Sequence, residues 1–520
     1  MKRDFSLLAG RQFDLLVVGG GIYGAWTAYD AALRGLKVAI VEQGDWAGAT
    51  SSASSKLIHG GLRYLETYDF KLVRKALRER EALQKIAPHR VWPLQFAVPV
   101  YEDGRTGRLK LKAGLMLYDA LAGFPDKSMA HHRFSRAKFA GKFPFLDQEK
   151  LVGGFTYGDA QTDDARLVLE LVAGAMQAGA VCVNYCRMQG LIEENGSVCG
   201  ASVQDVLEGV TQSLAARQVV NTSGPWIAAP PERKGWCRLS KGIHLVLPAL
   251  PANEALLLTA KSDGRVFFII PWYGMTLLGT TDTDYRGAVD RVTVEQHEID
   301  YLLNEANHYL KSGWTRADVV GSFAGVRTMK YSDDAHPSSA SRDWELKTAE
   351  NGVHYSIGGK LTSAREDASN IVDKVCSRLG VSNACNTRVH PFPWTPSDHA
   401  VWMNKASAKA RQLHIDEQSA AWLLRRHGKR IDEVFKLIER NAMLSGRINP
   451  DLPFIYADLL LCARDEMVVH LDDLIRRRMP LLILARWTED GLRGIAGQIA
   501  EIHGWEEARI GHEIGRCLQS

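Results

Sequence analysis

Residues 13–24 read FDLLVVGGGIYG, and this stretch decides the fold. Six mainly apolar residues (13–18) have the composition of a buried strand, and they run without a break into Gly19-Gly20-Gly21-Ile22-Tyr23-Gly24. The spacing Gly19-x-Gly21-x-x-Gly24 suits a turn between a strand and a helix. The first glycine permits the tight turn, the second lets the backbone approach a pyrophosphate, and the third lets helix and strand pack closely. Free N–H groups and the positive end of the helix then attract the anion. One helix length of Ala-rich sequence leads to a second apolar run, residues 37–41, closed by Glu42. A carboxylate at that strand tip accepts the ribose hydroxyls of an adenosine. Together these features predict a Rossmann-like domain holding an adenine dinucleotide.

The next segment bears on which dinucleotide. In place of another strand–helix unit comes Thr50-Ser51-Ser52-Ala53-Ser54-Ser55-Lys56, then His59-Gly60-Gly61-Leu62-Arg63-Tyr64. Small side chains and hydroxyls suit a backbone lying against more phosphate or an isoalloxazine ring, which favours FAD.

Residues 19–66 closely resemble the FAD-dependent glycerol-3-phosphate dehydrogenases of the aerobic, respiratory type. The resemblance continues in Asp163-Asp164-Ala165-Arg166-Leu167, Asn221-Thr222-Ser223-Gly224-Pro225-Trp226, Lys241-Gly242-Ile243-His244 and Ile270-Pro271-Trp272. Further on it includes Gly279-Thr280-Thr281-Asp282-Thr283-Asp284-Tyr285, Ala324-Gly325-Val326-Arg327, Ser341-Arg342-Asp343-Trp344 and Gly358-Gly359-Lys360-Leu361-Thr362. It is specific over residues 13–370 and loose beyond. Thr328-Met329 after Arg327 and Ser363-Ala364 after Thr362 depart from the usual family pattern, and bear on substrate identity more than on flavin chemistry.

The resemblance implies roles. Arg63, Tyr64 and Arg342 would bind a substrate phosphate, Thr362 would contact the substrate near the flavin pyrimidine edge, and Arg327 would lie beside the reacting carbon. His244 is the first candidate for the base, since a histidine titrates near working pH, and His59 is the second. Lys360 suits the pyrimidine edge of the flavin, where a helix N-terminus assists. The expected cofactor contacts are Gly19, Gly21, Gly24, Glu42, Gln43, Thr50, Ser51, Ser52, Ser55, Lys56, Ser223, Gly224, Gly359 and Leu361. No metal is expected. The implied reaction is oxidation of sn-glycerol 3-phosphate to dihydroxyacetone phosphate, with electrons passed to quinone. Two alternatives stand beside it: a flavin oxidase or dehydrogenase of another hydroxy or amino acid, and a non-catalytic FAD-binding protein.

Composition fits this reading. A chain of 520 residues has room for two or three domains. With 64 Lys+Arg against 60 Asp+Glu, the charge of +4 indicates no general attraction to nucleic acid. The eight cysteines form no CxxC pair, which favours reduced thiols. No apolar run reaches the ~18 residues of a membrane span, and no signal peptide is evident. The expected location is cytoplasmic and peripheral on the inner face of the cytoplasmic membrane; a homodimer is compatible with the sequence. The basic run at residues 105–112 before the apolar residues 113–121 fits interfacial binding or an ordinary core helix. Arg425-Arg426-His427 and Arg476-Arg477-Arg478 fit either lipid contact or a solvated face.

The predicted architecture is α/β plus α+β. Residues 1–90, 150–235 and 350–389 form a discontinuous FAD-binding domain, and residues 91–149 and 236–349 a mainly antiparallel substrate-binding domain. Residues 390–520 form a helical domain, reached through a Pro-rich linker at 390–396. Helices are expected at 69–86, 161–179, 361–379, 417–427, 431–444, 458–474, 491–503 and 505–517, with an Asn-Gly hairpin at 194–196.

Overall fold

The computed structural model describes residues 1–228, 230, 233, 235–331 and 343–519. Gln12–Val18 is the inner strand of an eight-stranded sheet. It pairs in parallel with Val38–Val41 on one side and Thr211–Asn221 on the other. Val181–Val183 and His354–Ile357 extend the parallel set outward. The helices Ile22–Leu33, Asp164–Gln177 and Ala364–Leu379 cover one face, burying Trp26, Tyr29, Leu171 and Val372 in a common core. The hairpin Cys186–Glu194/Ser197–Asp205 turns at Asn195 and Gly196, both at positive φ as an Asn-Gly turn requires.

A second sheet of ten strands is largely antiparallel. Its central members are Cys237–Leu247, Val266–Trp272, Met275–Gly279 and Gly321–Lys330. Leu151–Thr162 belongs to this sheet, paired with Val91–Tyr101, and Glu345–Thr348 belongs to the first. The chain therefore changes sheets about a dozen residues later than the expected boundary at 150, and a few residues earlier than the one at 349.

Several expected elements differ for identifiable reasons. The helix expected at 161–179 begins at Asp164, because Gln161 and Thr162 pair with Trp92 and Val91 while Asp163 caps the helix by accepting from the Arg166 N–H. The long helix ends at Leu379 as expected but starts at Ala364. The helix expected at 458–474 is interrupted: Tyr456–Asp465 ends before Met467, which has φ +51, and a wide turn of helix resumes over Asp473–Arg478. The 390–396 segment is a packed strap and not a loose linker. Phe392 meets Trp26 edge-on at 5.4 Å, and both Phe392 and Trp394 are buried.

Two residues of each basic cluster are turned inward and buried, while Arg425 and Arg476 are half-buried. Arg426 and His427 are buried against Asp458, and Arg477 and Arg478 are buried against Asp45. Arg425 stands over the rings of Trp92 and Trp422. The helical unit itself packs on the second sheet, where Tyr273 stacks on Trp422 at 3.9 Å. Among the described residues no helix is long and apolar enough to cross a membrane.

Candidate active site

A cavity of about 1010 Å³ runs from the glycine turn to the face of the second sheet, at the upper end of the range for small-molecule sites. Its first wall is the turn after the first strand. Gly19 has φ +108, and a Cβ there would lie 2.9 Å from the Thr222 backbone; a Cβ at Gly24 would lie 1.8 Å from the Gly19 carbonyl oxygen. Both positions exclude a side chain, which leaves open the cradle in front of the helix Ile22–Leu33.

Glu42 closes this end. Its Oε2 accepts from the Gly20 N–H at 2.6 Å and its Oε1 from the Gly44 N–H at 2.8 Å. Burial raises its pKa, while the two amides oppose that shift and fix the carboxylate in place. The hydroxyl loop is stitched to its neighbours. Ser51 Oγ accepts from the Ile22 N–H at 2.9 Å, Thr50 Oγ1 donates to the Val326 carbonyl at 2.6 Å, and Ser52 Oγ donates to the Ala49 carbonyl at 3.2 Å. Gln43, Ser223, Gly224, Gly359 and Leu361 also line the cavity. Lys56 does not. Its ammonium is buried against Asp164 Oδ1 and the Ser52 carbonyl, each at 2.6 Å, so it braces the loop from behind the cavity wall.

At the far end Arg63 and Lys360, 297 positions apart in the chain, meet. Arg63 and Lys360 both lie against the ring of Tyr64, at 5.1 and 3.9 Å from its centre. Thr362 Oγ1 accepts from the His59 N–H at 3.2 Å, which joins this wall to the His59 loop. Arg63 Nη2 is buried and has no hydrogen-bond partner among the described residues. Arg327 projects from Gly321–Lys330, donates to Thr280 Oγ1 at 2.9 Å and lies 3.4 Å from Asp282 Oδ1.

His244 lies opposite Phe323 and Gly279 in the strand register and stacks on the Phe323 ring at 4.9 Å. A Cβ at Gly279 would come within 2.3 Å of its ring, so only glycine fits there. His244 Nε2 is 2.9 Å from Ser55 Oγ. Burial, then Arg327 and Lys56, push its pKa well below the usual value, so the imidazole is neutral at neutral pH. Arg342 lies outside the described residues.

Tyr23 is a residue that the sequence reading missed. Its hydroxyl donates to Asp367 Oδ2 at 2.7 Å and accepts from the Lys360 N–H at 3.0 Å, so it holds the Gly358–Lys360 turn against the glycine turn. It occupies an unspecified position of the glycine motif, where spacing carries no signal. Asp282 was visible within the quoted Gly279–Tyr285 motif, but its place beside Arg327 was not. Asp367 also accepts from Lys75 Nζ at 2.6 Å.

The comparisons with known proteins agree with this geometry. Residues 14–365 match the FAD dependent oxidoreductase family, and residues 397–510 match the C-terminal domain of alpha-glycerophosphate oxidase. A glycerol-3-phosphate dehydrogenase of Synechocystis is 37% identical, over 98% of this chain and 97% of its own length. The chain belongs to the FAD-dependent glycerol-3-phosphate dehydrogenase family. Another relative, the aerobic glycerol-3-phosphate dehydrogenase of Staphylococcus aureus, is 33% identical over 91% of this chain and 87% of its own length. The structure of the Bacillus halodurans glycerol-3-phosphate dehydrogenase complexed with FAD superposes with a TM-score of 0.80. It is 29% identical and covers 99% of this chain, which covers 95% of it. The family's cofactor fits the residues present: a glycine turn at a helix N-terminus, a braced carboxylate at the second strand tip, and buried polar atoms of Arg63, His244 and Thr328 in the cavity wall that have no hydrogen-bond partner among the described residues.

Proposed function

We propose that this chain oxidises sn-glycerol 3-phosphate at C2 to dihydroxyacetone phosphate, using FAD, and that the electrons leave to a quinone. The observation that carries this reading is Arg63 Nη2, buried and without a hydrogen-bond partner among the described residues, beside Lys360 on the wall of the same cavity that holds Glu42 and the glycine turn. A buried donor of a charged group left without a partner is costly unless a ligand anion completes it.

Bound FAD supplies the two-electron acceptor for the hydrogen on C2. Arg63 holds the phosphate, with Arg342 expected beside it, and Tyr64 keeps Arg63 and Lys360 on one wall, where Lys360 would serve the pyrimidine edge of the flavin. Arg327, steadied by Thr280 and Asp282, orients the oxygen on C2 and stabilises the charge that develops there. The hydroxyl proton leaves to the pair His244 and Ser55, whose imidazole is free of a second proton at neutral pH. His59, beside Thr362 and edge-on to Phe268 at 6.2 Å, is the second candidate for that task.

Anaerobic addition of glycerol 3-phosphate to the flavin-loaded protein should bleach the yellow colour within seconds to minutes. No bleaching of intact holoenzyme would end this reading. Turnover supported by a quinone analogue but not by oxygen alone would support the proposed acceptor. Peripheral membrane binding is proposed for the helix Arg108–Leu121, where exposed Leu109, Met116 and Leu117 accompany Arg108, Lys110 and Lys112. Sedimentation with anionic vesicles at low salt tests it.

A further inference from the structure

The strand tip that carries Glu42 continues into a loop, residues 42–48, and besides its bonds to its own domain this loop is held from the C-terminal unit. Asp45 is buried, and both its oxygens are taken by arginines from the helical C-terminal unit. Arg477 Nε donates to Asp45 Oδ2 at 2.5 Å. Arg478 grips both carboxylate oxygens, with Nη2 2.8 Å from Oδ1. Arg477 is shared with Asp473 Oδ1 at 2.7 Å, and Asp473 in turn accepts from the Tyr185 hydroxyl at 2.6 Å and from the Val469 and His470 N–H groups. The next residue, Trp46, donates from Nε1 to Met467 Sδ at 3.3 Å.

Trp46 connects this anchor to the cofactor cradle. A Cβ at Gly20 would lie 2.4 Å from its ring, and the Ala47 N–H donates to the Gly20 carbonyl at 3.1 Å. Glu42 is itself bound to the Gly20 and Gly44 N–H groups. Displacing the loop therefore moves both the ribose carboxylate and the backbone under the pyrophosphate. Arg477 also lines the cavity itself. A buried group of two cations and two carboxylates is a poor source of stability compared with apolar packing of the same volume; its use lies in fixing geometry.

We propose that the C-terminal helical unit is a working part of the cofactor site: Arg477 and Arg478, acting through Asp45 and aided by Met467 on Trp46, are positioning residues for the adenosine half of FAD. The inference rests on the reading that FAD lies with its adenosine at Glu42. It gives the C-terminal unit a function separate from substrate chemistry. It also predicts an asymmetry, because FMN ends at its phosphate and does not reach the strand tip.

The experiment is a competition. Holoenzyme is equilibrated with FAD and FMN together, and the bound flavin is identified after desalting, for the unmodified chain and for Arg478→Met and Asp45→Asn. The unmodified chain should hold FAD by preference, and each variant should lose about tenfold or more of that preference. Equal preference in variants and parent would overturn the clamp while leaving the FAD reading intact. No preference in the parent would overturn the FAD reading first. Should either variant fail to fold, hydrogen exchange on the unmodified protein decides. Because coupling is reciprocal, FAD loading must slow exchange at residues 467–478 as well as at 42–48. Slowing at 42–48 alone would refute the proposal.

Discussion

Replacing Arg63 by methionine should weaken the substrate without weakening the protein. In the structure Arg63 Nη2 is buried and without a hydrogen-bond partner among the described residues, and the guanidinium lies 5.1 Å from the centre of the Tyr64 ring. Removing an unsatisfied buried donor of a charged group returns at least ~1–3 kcal/mol. Losing the ring contact costs about 0.5–1 kcal/mol. The sum predicts a substrate-free holoenzyme as stable as the parent, or slightly more so. With substrate bound, the same group completes a charge-assisted hydrogen bond worth about 1.5–3 kcal/mol. The apparent Kd of glycerol 3-phosphate should therefore rise roughly 10- to 150-fold. Anaerobic stopped-flow bleaching at graded substrate concentrations gives that Kd, and the Ki of inorganic phosphate should rise in parallel. Thermal unfolding of the substrate-free holoenzyme gives the stability. A clear fall in Tm with an unchanged Kd would refute the reasoning, since it would make Arg63 a structural residue.

Arg327→Met should slow flavin bleaching at saturating substrate by about 10²–10³-fold, with the bound FAD unchanged in absorbance and stoichiometry. Gly24→Ala should abolish FAD retention, because its Cβ would fall 1.8 Å from the Gly19 carbonyl oxygen; a full complement of flavin in the purified variant would contradict the turn geometry. Stability should fall as pH drops from about 6.5 toward 4. His354 and His427 are both depressed to about 4 by burial, so the unfolded chain binds more protons than the folded one across that window. His354→Gln should flatten the slope by up to about 1.4 kcal/mol per pH unit, read from denaturant midpoints across a pH series.

How much of the site could be read in advance depended on where each signal lay. Gly19, Gly21, Gly24 and Glu42 were legible because one turn dictates their spacing; Gly19, Gly21 and Glu42 line one end of the cavity, and Gly24 packs behind it against the Gly19 carbonyl. Arg63, Lys360, Arg327 and His244 were legible through motif order and face one cavity, though nothing local indicated that Tyr64 would carry two cations. The pairing of Lys56 was not legible, because a lysine in a hydroxyl-rich loop gives no sign of a buried aspartate 108 residues later. The break in the helix expected at 458–474 was hidden for a similar reason. Its apolar pattern is continuous, and only the packing of Met467 under Trp46 shows what the irregular turn does.

The sequence alone determined the cofactor domain and the order of the elements, because strand, glycine turn, helix and acidic strand tip are constrained by neighbours within some thirty residues. Only the tertiary structure decided what the charges do. A run of three arginines has the same local appearance whether it faces water, lipid or a buried carboxylate. The difference lies in a partner such as Asp45, 432 positions from Arg477, which meets it only after two domains have packed.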